Sequence, residues 1–223
     1  MKAKDTQILR VRRTKAQAKA SYDKMSRFYD YFAGVFEKKY RELALAQLNV
    51  QPGETVLEIG FGTGHSLLHM AESVGENGRV YGIDISPGML AVSQRRVAAA
   101  GFAGRVELTC GDALQLPYAA NMFDATFMSF TLELFDTPEI PALLAEIRRV
   151  LKADGRLGVV SMSREDGNSY LLRLYEWAHE KLPRYIDCRP IYVAGTLKSA
   201  GFAIAYQKRV SLLGLPGEIV VTA

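Results

Sequence analysis

From residue 55 onward, short continuous apolar runs alternate with longer stretches in which apolar residues recur every three or four positions. Thr55–Ile59 is β-branched and apolar and runs straight into glycines, the pattern of a strand buried on both faces. Leu67, Leu68, Ala71 and Val74 then follow at helical spacing and stop near Gly75. Val80–Ile85 reads as a second strand. Ser86-Pro87 supplies an N-cap and a first-turn proline for a helix that Gly101 ends. Val106–Cys110 and Asp124–Phe130 are the third and fourth strands. Thr137-Pro138 is expected to open a helix whose stripe is Ile140, Leu143, Leu144, Ile147 and Leu151. Asp154-Gly155 then turns the chain into a fifth strand, Arg156–Val160. Such alternation predicts an α/β fold, a mostly parallel sheet with helices on both faces.

The last third loses this rhythm. A helix near 168–181 leads through a loop to a short helix ending at Gly201. Two extended runs follow, Phe202–Gln207 and Ile219–Thr222, and the final one is expected to form an edge strand. Ahead of the alternating region, 21–48 is aromatic and compatible with helix.

Composition narrows the class. Of 223 residues, 48% are hydrophobic and 23% charged, the balance of an ordinary folded domain. No apolar run approaches the ~20 residues of a membrane span, and no export signal opens the chain. Cys110 and Cys188 form neither a disulfide framework nor a zinc spacing, so a reducing cytoplasm is expected. The net charge of +4 is unevenly placed: residues 1–19 hold seven bases and one acid, net +6, leaving 21 bases against 23 acids, net −2. A near-neutral body argues against nucleic acid as partner, while the basic segment suits solvent or weak contact with an anionic membrane surface.

The candidate chemistry sits at the strand ends. Glu58-Ile59-Gly60-Phe61-Gly62-Thr63-Gly64 joins the first strand to its helix, and glycines there let backbone approach a ligand. Open α/β sheets bind ligands at this carboxyl rim. Asp84 ends the second strand, where a carboxylate can accept both hydroxyls of a ribose; Gly111-Asp112-Ala113 follows the third, and Ser129 closes the fourth. A dinucleotide loop needs Gly-x-Gly-x-x-Gly; counted from Gly60 the last position is His65, so that spacing fails. Glu58 would repel a pyrophosphate but tolerate an ammonium and a sulfonium. These residues favour S-adenosylmethionine over a nicotinamide cofactor.

Val56–Gly64, Gly82-Ile83-Asp84-Ile85-Ser86, Gly111-Asp112-Ala113 and Phe123–Phe130 together resemble the successive motifs of class I S-adenosylmethionine-dependent methyltransferases, near the menaquinone and ubiquinone C-methyltransferases. The resemblance spans about residues 20–223. It implies a Rossmann-like seven-stranded sheet whose last strand runs antiparallel. It also implies cofactor contacts from Thr63, Asp84, Asp112, Ala113 and Ser129, with Ile85 and Met89 flanking the adenine. Glu58, Gly60, Gly62 and Gly64 would line the methionine end, with S-adenosylhomocysteine as product and no metal.

Tyr22-Asp23-Lys24-Met25-Ser26-Arg27-Phe28-Tyr29-Asp30 resembles the family's Tyr-Asp repeat, a lid over the cofactor, which makes Tyr22 and Tyr29 the catalytic candidates. The quinone enzymes usually carry His-x-x-Trp soon afterwards; here Phe36-Glu37-Lys38-Lys39-Tyr40 stands instead. Tyr170, Leu174, Trp177 and Lys181 share a helical face, read either as core packing or as the wall of an acceptor pocket. Glu133 and His179 are candidate bases, and His65 and His69 lack the acidic partner of a metal site. The expected layout is a basic extension, 1–20, then one domain: helical lid 21–50, cofactor-binding core 51–165, and acceptor-side insertion with C-terminal strands 166–223. The expected activity is in-line methyl transfer to a small, aromatic or lipid-like acceptor. Two other readings are an amine or phospholipid N-methyltransferase at a membrane surface and a non-catalytic binding module.

Overall fold

The computed structural model describes residues 10–11, 14–25, 34–164, 170–181 and 188–223. Seven strands form one sheet: β1 (Thr55–Ile59), β2 (Arg79–Asp84), β3 (Val106–Cys110), β4 (Phe123–Ser129), β5 (Leu151–Met162), β6 (Ile204–Leu212) and β7 (Leu215–Thr222). Their spatial order is β3-β2-β1-β4-β5-β7-β6. The first five strands pair in parallel, while β7 runs antiparallel to both β5 and β6. The order reverses at β1, so β1 and β4 leave the sheet on either side of a crevice.

Helices α2 (Gly34–Leu48), α3 (His65–Ser73) and α4 (Pro87–Ala99) cover one face. Helices α5 (Ile140–Val150) and α7 (Val193–Ser199) cover the other. Two further helices, α1 (Lys15–Met25) and α6 (Tyr170–Lys181), lie at the carboxyl ends of the strands. No helix among the described residues is long and apolar enough to cross a membrane. Local chemistry explains the starts: Ser86 caps α4, its Oγ accepting from the Met89 amide at 3.1 Å, with Pro87 next.

Three expectations are corrected. The final apolar run is not an edge strand; β7 is inserted between β5 and β6, and its last six residues are buried. A continuous Ile219-Val220-Val221 run suits a strand covered on both faces, whereas the edge strand β6 alternates half-buried and exposed positions. Helix α5 starts at Ile140 with Pro141 in its first turn, not at Thr137-Pro138. Leu151, placed in that helix by its apolar spacing, already belongs to β5 and pairs with Phe123.

Candidate active site

The carboxyl ends of β1, β2, β3 and β4 surround a cleft of about 880 Å³, counting its open mouth. Gly60, Gly62, Asp84, Ile85, Met89, Gly111, Asp112, Ala113 and Ser129 all line it. Lys15, Ala18 and Tyr22, spaced three and four apart on one face of α1, close it from the chain's N-terminal side. Phe130, Leu134 and Phe135 from the segment after β4 give it an apolar wall.

Asp84 is the best-held carboxylate in the cleft. Its Oδ2 accepts from the Gly62 amide at 2.9 Å and its Oδ1 from the Ser86 amide at 2.9 Å. Two ionised oxygens offer about four acceptor positions; with the Ile85 amide also bonded to this carboxylate, at least one position remains for a ligand's hydroxyls. Burial raises its pKa to about 6, against the opposing pull of those amides, with Asp23 adding to the rise. Asp112 receives the Lys15 ammonium at 2.5 Å and the Leu114 amide at 3.1 Å. Burial alone would lower the Lys15 pKa, but the hydrogen bonds and charges of Asp112 and Glu139 outweigh it and raise it.

The glycine loop is braced from behind. Ser93 on α4 donates to the Gly62 carbonyl at 2.8 Å, and Arg96 to the Thr63 carbonyl. Gly62 has φ +52, and nothing lies within 4 Å of where a Cβ would stand. Gly60 has φ +73, and its Cβ would fall 2.4 Å from Thr131 Cγ2.

Comparison with known proteins agrees with this geometry. Residues 56–155 match a family model described as a methyltransferase domain. A demethylmenaquinone methyltransferase of Symbiobacterium thermophilum is 38% identical over 197 residues, covering 81% of this chain and 77% of that enzyme. The chain is a class I S-adenosylmethionine-dependent methyltransferase. It belongs to the group related to the menaquinone and ubiquinone C-methyltransferases. Within that group, an enzyme of Teredinibacter turnerae named for ubiquinone and menaquinone biosynthesis is 34% identical over 157 residues, spanning 70% of this chain and 61% of its own. Among solved structures, a SAM-dependent methyltransferase from Aquifex aeolicus superposes with TM-score 0.61 at 25% identity, over 82% of this chain and 88% of that one.

The cleft of this methyltransferase fits its cofactor on two counts: a carboxylate with acceptor capacity left over at the end of β2, and bare glycine backbone facing open space. Three residues expected to touch the cofactor are not among those that line the cleft. Glu58 is 1% exposed and is not among the residues lining the cleft. Burial pushes its pKa up to about 8 despite a hydrogen bond from Ser66 and the nearby charge of Arg41, and its Oε2 has no hydrogen-bond partner among the described residues. A largely protonated Glu58 at neutral pH weakens the charge argument drawn from it; the failed Gly-x-Gly-x-x-Gly spacing stands without it. Thr63 and Gly64 also lie outside the lining, Gly64 serving as the left-handed N-cap of α3. Tyr29 falls outside the described residues.

The α6 face is corrected as well. Tyr170, Leu174 and Trp177 are 83%, 48% and 57% exposed, and none of them lines the cleft or packs in the core. Sequence reasoning missed Lys15, Ala18, Leu134, Phe135 and Glu139 in the cleft wall. The three-four spacing of Lys15, Ala18 and Tyr22 was an available signal; the segment after β4 offered none.

Proposed function

We propose that this methyltransferase acts on a small aromatic or lipid-like acceptor of the quinol kind, by in-line transfer from S-adenosylmethionine held in the described cleft. The observation carrying this reading is the join, in one cleft, of an adenosine-compatible rim (Gly62, Asp84, Asp112) to an apolar wall (Phe130, Leu134, Phe135). The relatives named for demethylmenaquinone support an aromatic acceptor.

When bound, S-adenosylmethionine supplies an electrophilic methyl group on a positively charged sulfur. Asp84, kept rigid by the Gly62 and Ser86 amides, would accept from the ribose hydroxyls. Ile85 and Met89 would flank the adenine, with Asp112 and the Ala113 amide at its edge. Gly60 and Gly62 bring backbone close where side chains would intrude, and Ser129 ends the opposite wall. Tyr22 and the α1 face cover the mouth and exclude water. Alignment and exclusion of this sort are worth up to about 7–11 kcal/mol in ideal cases, so no dedicated dyad is required for the transfer itself.

Mass spectrometry on turnovers with a panel of short-chain demethylmenaquinols, phenols and amines tests the acceptor; a gain of one methyl on the quinols is expected. Methylation confined to amines would overturn this reading. Calorimetry tests the cofactor site. Asp84→Ala is expected to weaken donor binding by about 1–3 kcal/mol. Wild-type affinity is expected to fall as pH drops through about 6, where Asp84 takes up a proton.

A further inference from the structure

A helix on a protein surface normally turns its apolar stripe inward. Helix α6 buries Leu172 and His179, which are 2% and 5% exposed. It also carries an apolar stripe pointing outward: Tyr170, Leu174 and Trp177, at i, i+4 and i+7. Arg173 and Lys181 are exposed on that same outward side, while Glu176 is turned toward Arg164 and pairs with it at 3.0 Å. The only other large apolar side chain exposed among the described residues is Leu213, 73% exposed, in the turn between β6 and β7.

All four positions belong to one end of the molecule. Met162, the last residue of β5, pairs with Gly217, so the β6–β7 turn projects beyond the carboxyl end of β5. Helix α6 is held beside the same end by Arg164–Glu176 and by the Tyr175 hydroxyl, which donates to the Cys188 carbonyl at 2.9 Å. The cleft opens on this rim. Arg10 and Lys15 of the basic N-terminal segment also meet the body there, on Asp136 and Asp112.

We propose that the outward face of α6, with Leu213, docks this enzyme on the headgroup region of an anionic lipid bilayer. Tryptophan and tyrosine combine an apolar ring with a polar edge and settle at that depth. A short stripe flanked by bases gains both from apolar burial and from the negative surface potential. Three side chains and a turn tip are small beside the roughly 800 Å² per partner of a stable protein interface, and the flanking bases would repel their own copies across a dimer axis. Docked this way, the cleft faces the layer in which a lipid-like acceptor dissolves. The surface itself does not depend on which acceptor is methylated.

Trp177 is the only tryptophan in the chain, so its emission reports this contact directly. Full-length protein is titrated with vesicles of phosphatidylglycerol and phosphatidylcholine, and with phosphatidylcholine alone, following emission and co-sedimentation. The anionic vesicles are expected to shift the emission to shorter wavelength and to sediment the protein, with both effects weakened by salt. Leu174→Asp is expected to abolish both. Arg173→Gln combined with Lys181→Gln is expected to weaken partitioning about thirtyfold. Donor binding, measured by calorimetry, is expected to be unchanged in all these variants and shows that they are folded. Unchanged emission with the protein left in the supernatant overturns the proposal, as does equal vesicle binding by Leu174→Asp. A blue shift that grows with protein concentration without lipid, accompanied by a dimer mass, overturns it in favour of a second copy. Failure of every acceptor with vesicle binding intact would sink the proposed chemistry and leave this surface standing.

Discussion

Gly60 and Gly62 sit two residues apart in one loop and meet different demands. Both have positive φ, but Gly60 packs its α-carbon against Thr131, whereas Gly62 faces open cleft. Gly75, φ +66 with nothing nearby, provides the strain-only reference. Gly75→Ala is expected to cost about 1–3 kcal/mol from backbone strain alone. Gly62→Ala should cost a similar amount of stability yet lose donor affinity, because its methyl fills the cradle. Gly60→Ala should exceed both in stability loss, since Thr131 must move. Urea unfolding beside calorimetry separates the three; equal donor affinity in Gly62→Ala and wild type would remove that glycine from the cofactor site. Strand-end carboxylates and glycines could be found in the sequence because few residue types do those jobs. Phe130, held at φ +50 beside the cleft, could not be, since nothing in its type predicts a left-handed backbone.

At the scale of elements, α1 makes part of the expected basic extension a wall of the cleft. Its attachments are largely ionic and polar, beside Tyr22, which packs against the core. Arg10 grips Asp136 through two nitrogens, Lys15 reaches Asp112 and Glu139, and Asp23 accepts from the Ser86 hydroxyl at 2.6 Å and the Gly88 amide at 3.0 Å. Contacts of this kind are screened by salt. Lys15→Met, which keeps the apolar stem, is expected to speed amide exchange in α1 about two- to fivefold at low salt and to change it little at high salt. Exchange rates unaffected at both salt levels would show that the helix is held by packing instead. Elements with strong periodicity, from β1 to α5, were legible because burial on a sheet enforces their pattern. The docking of α1 left only the three-four spacing of Lys15, Ala18 and Tyr22 as a signal, because ion pairs between distant segments leave no periodic trace. The outward aim of α6 was not legible: a stripe of Tyr170, Leu174 and Trp177 reads as a buried face in sequence, and only the tertiary fold decides whether it is covered.

For the whole molecule, burial of acids sets the response to pH. Glu133 is fully buried, with Oε1 accepting from the Met162 amide at 3.2 Å. Desolvation pushes its pKa up to about 8, opposed by its hydrogen bonds and aided by the charge of Glu37. Glu58 is raised to about 8 as well. A carboxyl with a raised native pKa binds protons more tightly folded than unfolded, so its contribution is complete below the ordinary value near 4.5 and disappears as pH climbs through 8. Unfolding free energy is therefore expected to fall between pH 5 and pH 8. Glu133→Gln, which mimics the protonated form, should flatten that slope and be more stable than wild type at pH 8 by about 1 kcal/mol or more. A slope unchanged by the substitution would mean that Glu133 does not titrate in this range.

The strand order has a further consequence, for the way the chain assembles. β6 precedes β7 in the chain, yet its only neighbour in the sheet is β7. During synthesis β6 must wait, its backbone amides and carbonyls unsatisfied, while β5 presents a bare flank of its own. Completion is a single late insertion that seals both at once. Until then the nascent protein offers two sticky borders to any neighbour, and a chaperone that shields them has its work concentrated in that interval.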